Sequence, residues 1–390
     1  MKNVIKLTLV LLTSLSLGFS ANAGELSVSG TAKATYNIMS GNGGGAEGGN
    51  NLGKGLGIAN ELNFTAAGEL DNGYSWNYSM ELDPSSATAT PNDDTKLTLT
   101  TPYGKVGIYI SEGGLDKNLK FSPAAYTAGI DVGVGATINP VDLGAYNSFQ
   151  YHTTAGLLPF ATVISAGFAP SADTGGASSS NSQGVVNSAT NTYTATVFTA
   201  GTADSRADFA PDAVSSVAEY SVTTAPIDGL EVNASYTDMS SSLNASGDST
   251  NEYEAGALTA KYSVGPFTVG AGRTLVQPYS DSDSSSAADE ETVQYVETNN
   301  YGVGYAINEA LSVSYEKSKS EAFISSATVL NVKTRSKDSQ DMTSIQAAYT
   351  MGGMTMALSQ TEVDGDGYTK EETVNRIDVK ETIFAITMAF

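Results

Sequence analysis

Over the last seven residues, Phe384 to Phe390, a large apolar side chain recurs at every second position, and the chain stops on an aromatic. A two-residue period with one apolar face marks a strand with one side against an apolar medium. The same alternation starts at the other end of the chain. Leu26, Val28, Ala32, Ala34, Tyr36 and Ile38 interleave with Ser27, Ser29, Thr31, Lys33, Thr35 and Asn37. A second strand sets Leu56, Ile58, Leu62 and Phe64 against Glu61, Asn63, Thr65 and Glu69. A third sets Trp76, Tyr78, Met80 and Leu82 against Ser75, Asn77, Ser79 and Glu81.

Between the strands, tight turns alternate with long polar stretches. Asp71-Asn72-Gly73 is a hairpin signal, because Asn-Gly accepts the positive φ that such a turn requires. Further turns fall at Pro102-Tyr103-Gly104, Leu157-Leu158-Pro159, Pro226 to Gly229, Gly265-Pro266, Asn308-Glu309-Ala310 and Gly352-Gly353. Seven hairpins supply fourteen strands, and the two terminal strands raise the number to sixteen. Long segments rich in Ser, Thr, Asn, Asp and Gly separate the hairpins, among them 171–208, 238–251, 274–291, 318–340 and 360–375. Short turns at one end and long loops at the other are the layout of an outer-membrane barrel. The pattern therefore predicts an all-β fold: a closed 16-stranded antiparallel transmembrane β-barrel with short periplasmic turns and long external loops. Aromatics near the ends of the apolar runs, such as Tyr74, Trp76, Phe267, Tyr349 and Phe390, suit an interfacial girdle. A secreted β-sandwich accounts less well for a polar face as regular as the apolar one. One stretch breaks the pattern: Ile377, Val379 and Ile383 lie in the opposite phase to Phe384, Ile386 and Met388. The sequence allows either a β-bulge near Glu381 or Thr382 or a position above the membrane.

Composition fixes the compartment. Lys2 and Lys6, the apolar run Leu7 to Phe19 and Ala21-Asn22-Ala23 form a secretory signal peptide, residues 1–23, leaving a single barrel domain over residues 24–390. Loss of the two lysines takes the formal charge from −23 to −25, which excludes nucleic acid as a partner. There is no cysteine and a single histidine, His152, so thiol chemistry, an imidazole metal site and a Ser-His enzyme centre are not expected. No cofactor or metal is predicted. Asp364-Gly365-Asp366-Gly367 with Glu371 and Glu372 reads as a solvated acidic loop, because it lacks full calcium-loop spacing. Met342, Met351, Met354 and Met356 follow strand alternation and read as lipid- or subunit-facing packing.

Glu25-Leu26-Ser27-Val28-Ser29-Gly30, Gly68-Glu69-Leu70-Asp71-Asn72-Gly73, Tyr301-Gly302-Val303-Gly304-Tyr305-Ala306 and the closing Phe390 together resemble a Gram-negative general porin. The likeness runs over the whole mature chain through short motifs. It implies a cell outer-membrane location and a usually trimeric barrel passing small polar solutes and ions. It also implies a third external loop folded into the lumen, and a terminal Phe390 read by the barrel assembly machinery. Outer-membrane lipid and lipopolysaccharide are the implied surroundings.

Carried onto this chain, the third loop runs from about Glu112 to Asn147 and holds Glu112, Asp116, Asp131 and Asp142 with Lys117 and Lys120. On the facing wall the alternation points Lys33, Glu61, Glu69, Asn77, Glu81 and Lys96 inward. The family often has a basic cluster there; this set is mixed and lacks arginine. Charge and width set selectivity in such pores, so the expectation is a weakly cation-preferring diffusion pore. Two alternatives remain: a substrate-selective channel, and a barrel that anchors a structural or adhesive surface protein.

Overall fold

The computed structural model describes residues 25–41, 54–82, 92–110, 112–115, 143–170, 185–188, 191–194, 214–241, 249–277, 280–281, 291–327, 333–365 and 378–390. Residues 1–23, expected to be a signal peptide, the acidic stretch 366–372 and Ile377 lie outside these residues. The strands in chain order are β1 (Glu25–Gly41), β2 (Lys54–Glu69), β3 (Ser75–Leu82), β4 (Asn92–Thr101), β5 (Gly104–Ile110), β6 (Ser148–Thr153), β7 (Val163–Ala169), β8 (Val185–Ser188), β9 (Asn191–Thr194) and β10 (Val214–Ile227). They continue with β11 (Leu230–Ser241), β12 (Ser249–Asn251), β13 (Tyr253–Val264), β14 (Phe267–Gln277), β15 (Ser280–Asp281), β16 (Glu291–Ala306), β17 (Leu311–Ala327), β18 (Lys333–Met351), β19 (Met354–Asp364) and β20 (Asp378–Ala389).

Sixteen of these strands form one closed antiparallel barrel in the order β1-β2-β3-β4-β5-β6-β7-β10-β11-β13-β14-β16-β17-β18-β19-β20. The barrel shuts where β1 pairs with β20, from Thr31↔Ala389 to Gly41↔Val379. The remaining four strands make two small pairs in the long-loop regions, β8 with β9 and β12 with β15. The first of these pairs falls inside the long polar stretch 171–208.

All seven turns lie at one end, as the sequence predicts. At the first, Gly73 has φ 78° and its N–H reaches the Leu70 carbonyl at 2.8 Å, while Asn72 Oδ1 accepts from the Tyr74 N–H. The connection at Leu157-Leu158-Pro159 is longer than a tight turn. It runs over 154–162 and contains a one-turn 3₁₀ helix, Pro159–Ala161, with Phe160 and Ala161 at positive φ.

The register sorts side chains as the alternation implies. Outward lie Leu26, Val28, Leu56, Ile58, Ile108, Phe149, Tyr301, Val303, Tyr315, Leu358 and Phe384, all well exposed, as the apolar band of a membrane barrel is. Inward lie Lys33, Glu61, Glu69, Asn77, Glu81 and Lys96, through pairs such as Thr31↔Glu61, Asn63↔Glu81 and Ser79↔Lys96.

Of the two explanations the sequence allows for the opposite-phase residues near the C-terminus, the bulge is ruled out. β20 pairs with β19 and with β1 without any register shift. Val379 and Ile383 therefore point inward, and both are buried. Val379 belongs to an arc of buried inward apolar residues near the external end, whereas Ile383 lies lower, beside lipid-facing Phe384, and clusters with Ala348, Ala357 and Ala385. Val276 pairs with Val296, and Val296 with Ala322; further round, Met342 pairs with Val363 and Val363 with Val379. Met342 thus faces the interior, contrary to the lipid- or subunit-facing position expected of it; Met351, Met354 and Met356 lie outward. On the outer surface at this height sit ion pairs: Arg273 with Glu297, Glu321 with both Lys319 and Lys337, and Lys380 with Glu362. Crossing the apolar layer takes about ten residues of tilted strand. The strands β16, β17 and β18 have 16, 17 and 19, so their outer ends stand clear of it. In water the polarity rule reverses: charges go outside and apolar groups inside.

Candidate pore constriction

The inward face of β4 to β7 carries the most connected group of polar side chains. Lys96 on β4 lies across from Tyr109 on β5. Its Nζ is 3.1 Å from Oε2 of Glu112, two residues past the end of β5. The other Glu112 oxygen, Oε1, is buried and accepts no hydrogen bond among the described residues. Lys105, also inward on β5, lies within electrostatic reach of both Lys96 and Glu112. Gly107, between Lys105 and Tyr109, leaves room for the Tyr109 ring: a Cβ there would sit 2.8 Å from Tyr109 Cε2 and from Thr98 Cγ2.

The chain then turns off the wall. Gly113 has φ 84°, a conformation an L side chain rarely adopts, and a Cβ would meet Tyr109 Cδ1 at 2.6 Å. Gln150 on β6 donates from Nε2 to the Gly113 carbonyl at 2.7 Å. His152, two positions along β6, holds the phenol of Tyr109 with Nε2 at 3.3 Å and Ser165 Oγ of β7 with Nδ1 at 2.9 Å. The lone histidine is therefore a bridge between three strands.

Glu219 on β10 closes the arrangement. It is fully buried. Its Oε2 accepts the backbone N–H of Leu115 and that of Leu143, each at 3.0 Å, and its Oε1 accepts from Thr237 Oγ1 at 3.1 Å. Leu115 and Leu143, the latter opening the one-turn 3₁₀ helix Leu143–Ala145, flank the loop between β5 and β6. Both side chains are buried against Gly167 of β7, where an added Cβ would fall 2.1 Å from Leu143 Cδ2 and 3.4 Å from Leu115 Cδ1. The two described ends of the third loop are thus tied to one carboxylate on the inner wall.

Of the residues picked from sequence, Lys96 and Glu112 come together as an ion pair, and Lys33, Glu61 and Glu81 line the neighbouring wall of β1 to β3. Thr31 Oγ1 donates weakly to Glu61 Oε2, at 3.4 Å. Asp116, Lys117, Lys120, Asp131 and Asp142 lie outside the described residues. Glu219, Gln150, Tyr109, Lys105 and His152 were not picked from the sequence. The one local signal for Glu219 was an acidic residue in the inward phase of β10, beside Val217 and Ser221.

The profile of the Gram-negative porin family matches residues 8–387. The chain belongs to that family. A search of curated proteins found no match. Among solved structures, the outer membrane channel DcaP of Acinetobacter baumannii is similar at 12% identity and TM-score 0.59, over 94% of this chain and 98% of that one. OmpT of Vibrio cholerae in its trimer form follows at 8% identity and TM-score 0.58, over 95% and 100%. An anion-selective porin from Comamonas acidovorans gives 12% and 0.55, over 94% and 100%. At such identities the likeness is one of fold. As a member of the porin family with a closed 16-stranded barrel, the protein is an outer-membrane channel protein.

Proposed function

We propose that this porin is a water-filled pore for passive diffusion of small hydrophilic solutes and ions, with a weak preference for cations and no catalytic step. The observation that carries the reading is the charge on the accessible wall. Among the residues in continuous register on β1 to β5, together with Glu112, the inward charges are Lys33, Lys96 and Lys105 against Glu25, Glu61, Glu69, Glu81 and Glu112, an excess of two carboxylates. The third loop turns into the lumen, a reading supported by the bonds from Leu115 and Leu143 to Glu219. The chain is exported with cleavage of residues 1–23, and Phe390 is the residue the barrel assembly machinery reads. It assembles as a homotrimer, in keeping with the trimer form of the Vibrio cholerae relative. Lipopolysaccharide faces the ion-paired outer ends of β14 to β20.

A second reading has one observation in its favour: along β10 to β20 many inward side chains, including Glu219, Glu316 and Ser344, are buried, which suits a narrow barrel serving as an anchor. Planar-bilayer recording separates the two. Ohmic steps reversing toward the potassium potential in a potassium chloride gradient support the cation-preferring pore. Absence of steps supports the anchor, and reversal toward chloride refutes the charge assignment.

A further inference from the structure

The geometry points to Glu219 as a positioning residue that sets ion selectivity without touching the permeating ion. The inference rests on the pore reading above. Glu112 is the side chain that meets Lys96, and it belongs to no strand; it stands on the short segment 112–115. Besides the Lys96–Glu112 pair itself and the packing of Leu115 against Gly167, two hydrogen bonds hold that segment to the wall. Gln150 grips the Gly113 carbonyl, and Glu219 grips the Leu115 N–H. Glu219 also takes the Leu143 N–H on the same oxygen, so the outgoing and returning chains are drawn to one point. The hydrogen bond from Thr237 orients the carboxylate from the next strand.

The chemistry suits a fixed clamp. A buried carboxylate accepting backbone N–H groups makes charge-assisted bonds, stronger than neutral ones. A buried acceptor is costly to leave unmatched, so the bonds are not exchanged readily for water. Without the carboxylate, Leu115 loses its anchor and Glu112 is free to leave Lys96. The wall at Lys96 then becomes locally more positive, although the residues in the ion path are unchanged.

Reversal potential in a potassium chloride gradient tests this, with E112Q, E219A, E219Q and the double variant E112Q/E219A beside the unaltered protein. E219A is expected to move the reversal potential toward chloride, by no more than E112Q does. The double variant is expected to match E112Q alone, because Glu219 acts through Glu112. E219Q keeps an acceptor oxygen for the two amides and is expected to recover most of the shift seen with Ala. Full additivity of E112Q and E219A overturns the inference, as does an E219A pore with unaltered selectivity. Equal shifts for E219Q and E219A would mean that the charge itself acts, and would overturn it too. Should E219A fail to fold on a heat-modifiability gel, Gln150→Ala serves instead: it releases Gly113 and is expected to shift the potential the same way, while no shift rejects the clamp. An unaltered protein that conducts nothing refutes the pore reading, a result distinct from all of these.

Discussion

Phe390 and Gly30 exchange both backbone hydrogen bonds, Gly30 N–H to the Phe390 carbonyl at 2.8 Å and Phe390 N–H to the Gly30 carbonyl at 3.0 Å. The last residue of the chain is therefore part of the seam that closes the barrel. Its ring lies over the Gly30 backbone, where a Cβ would be 2.7 Å from Phe390 Cε2 and 2.8 Å from the Glu61 carbonyl. A side chain at residue 30 must displace the ring or the neighbouring strand. Gly30→Leu is expected to destabilise the closed barrel by about 1–3 kcal/mol, the range for overpacking. Unfolding in urea, followed by the mobility shift between folded and heated barrel, checks this; an unchanged midpoint would show that the contact is slack.

Gly167 has the same relation to the third-loop neck that Gly30 has to the seam. Leu143 Cδ2 occupies the place of its missing Cβ. The obstacle is the far end of a flexible but fully buried side chain, so Gly167→Ala is expected to cost about 1–3 kcal/mol of stability. The displaced Leu143 is also an anchor for Glu219, so the expected consequence is functional: broader, noisier single-channel steps. Quiet steps of unaltered amplitude would show that the neck absorbs the methyl group.

The reversal of polarity at the external end makes opposite predictions for two faces of the same strands. Met342 is inward and fully buried on β18. Met342→Asp places a carboxylate in an apolar arc and is expected to cost several kcal/mol, as burial of an unpaired charge does. Lys319, outward on β17, is half exposed and paired with Glu321. Lys319→Gln is expected to change stability by less than about 1 kcal/mol, the usual worth of an exposed ion pair. If these outer ends lay inside the bilayer, Lys319→Gln would instead raise the stability, since it would remove a charge from lipid. Urea midpoints of the two variants decide it.

The strand phases, the seven hairpin positions and the closing strand were legible because each depends on neighbours in sequence. Asn72-Gly73 makes its turn through its own backbone, and the pairing of Leu26 and Phe384 with lipid follows from period two alone. The sequence left Val379 and Ile383 between a bulge and a position above the membrane; the unbroken register of β20 rules out the bulge, and at Val379, level with the outward ion pair of Lys380 and Glu362, apolar means inward. Glu219 was illegible for a different reason. The amides it holds belong to residues 104 and 76 positions away, and nothing near Glu219 records them. Glu112 and Lys96, only 16 positions apart on adjoining elements, were within reach of a strand count.

Lys96 offers the most direct check on the charge reading. It is the cation paired with Glu112, and its removal leaves Lys33 and Lys105 against the same five carboxylates. Lys96→Gln is expected to move the reversal potential toward potassium. The side chain is partly exposed, so the effect should be screened by salt: the Debye length is about 10 Å at 0.1 M and about 3 Å at 1 M. A shift that is clear in dilute potassium chloride should therefore shrink in molar salt. A shift toward chloride would show that Lys96 is spent wholly on orienting Glu112, with the carboxylate leaving the ion path once released. A shift equal at both concentrations would point to altered pore width, because width, unlike the field of an exposed charge, is indifferent to ionic strength.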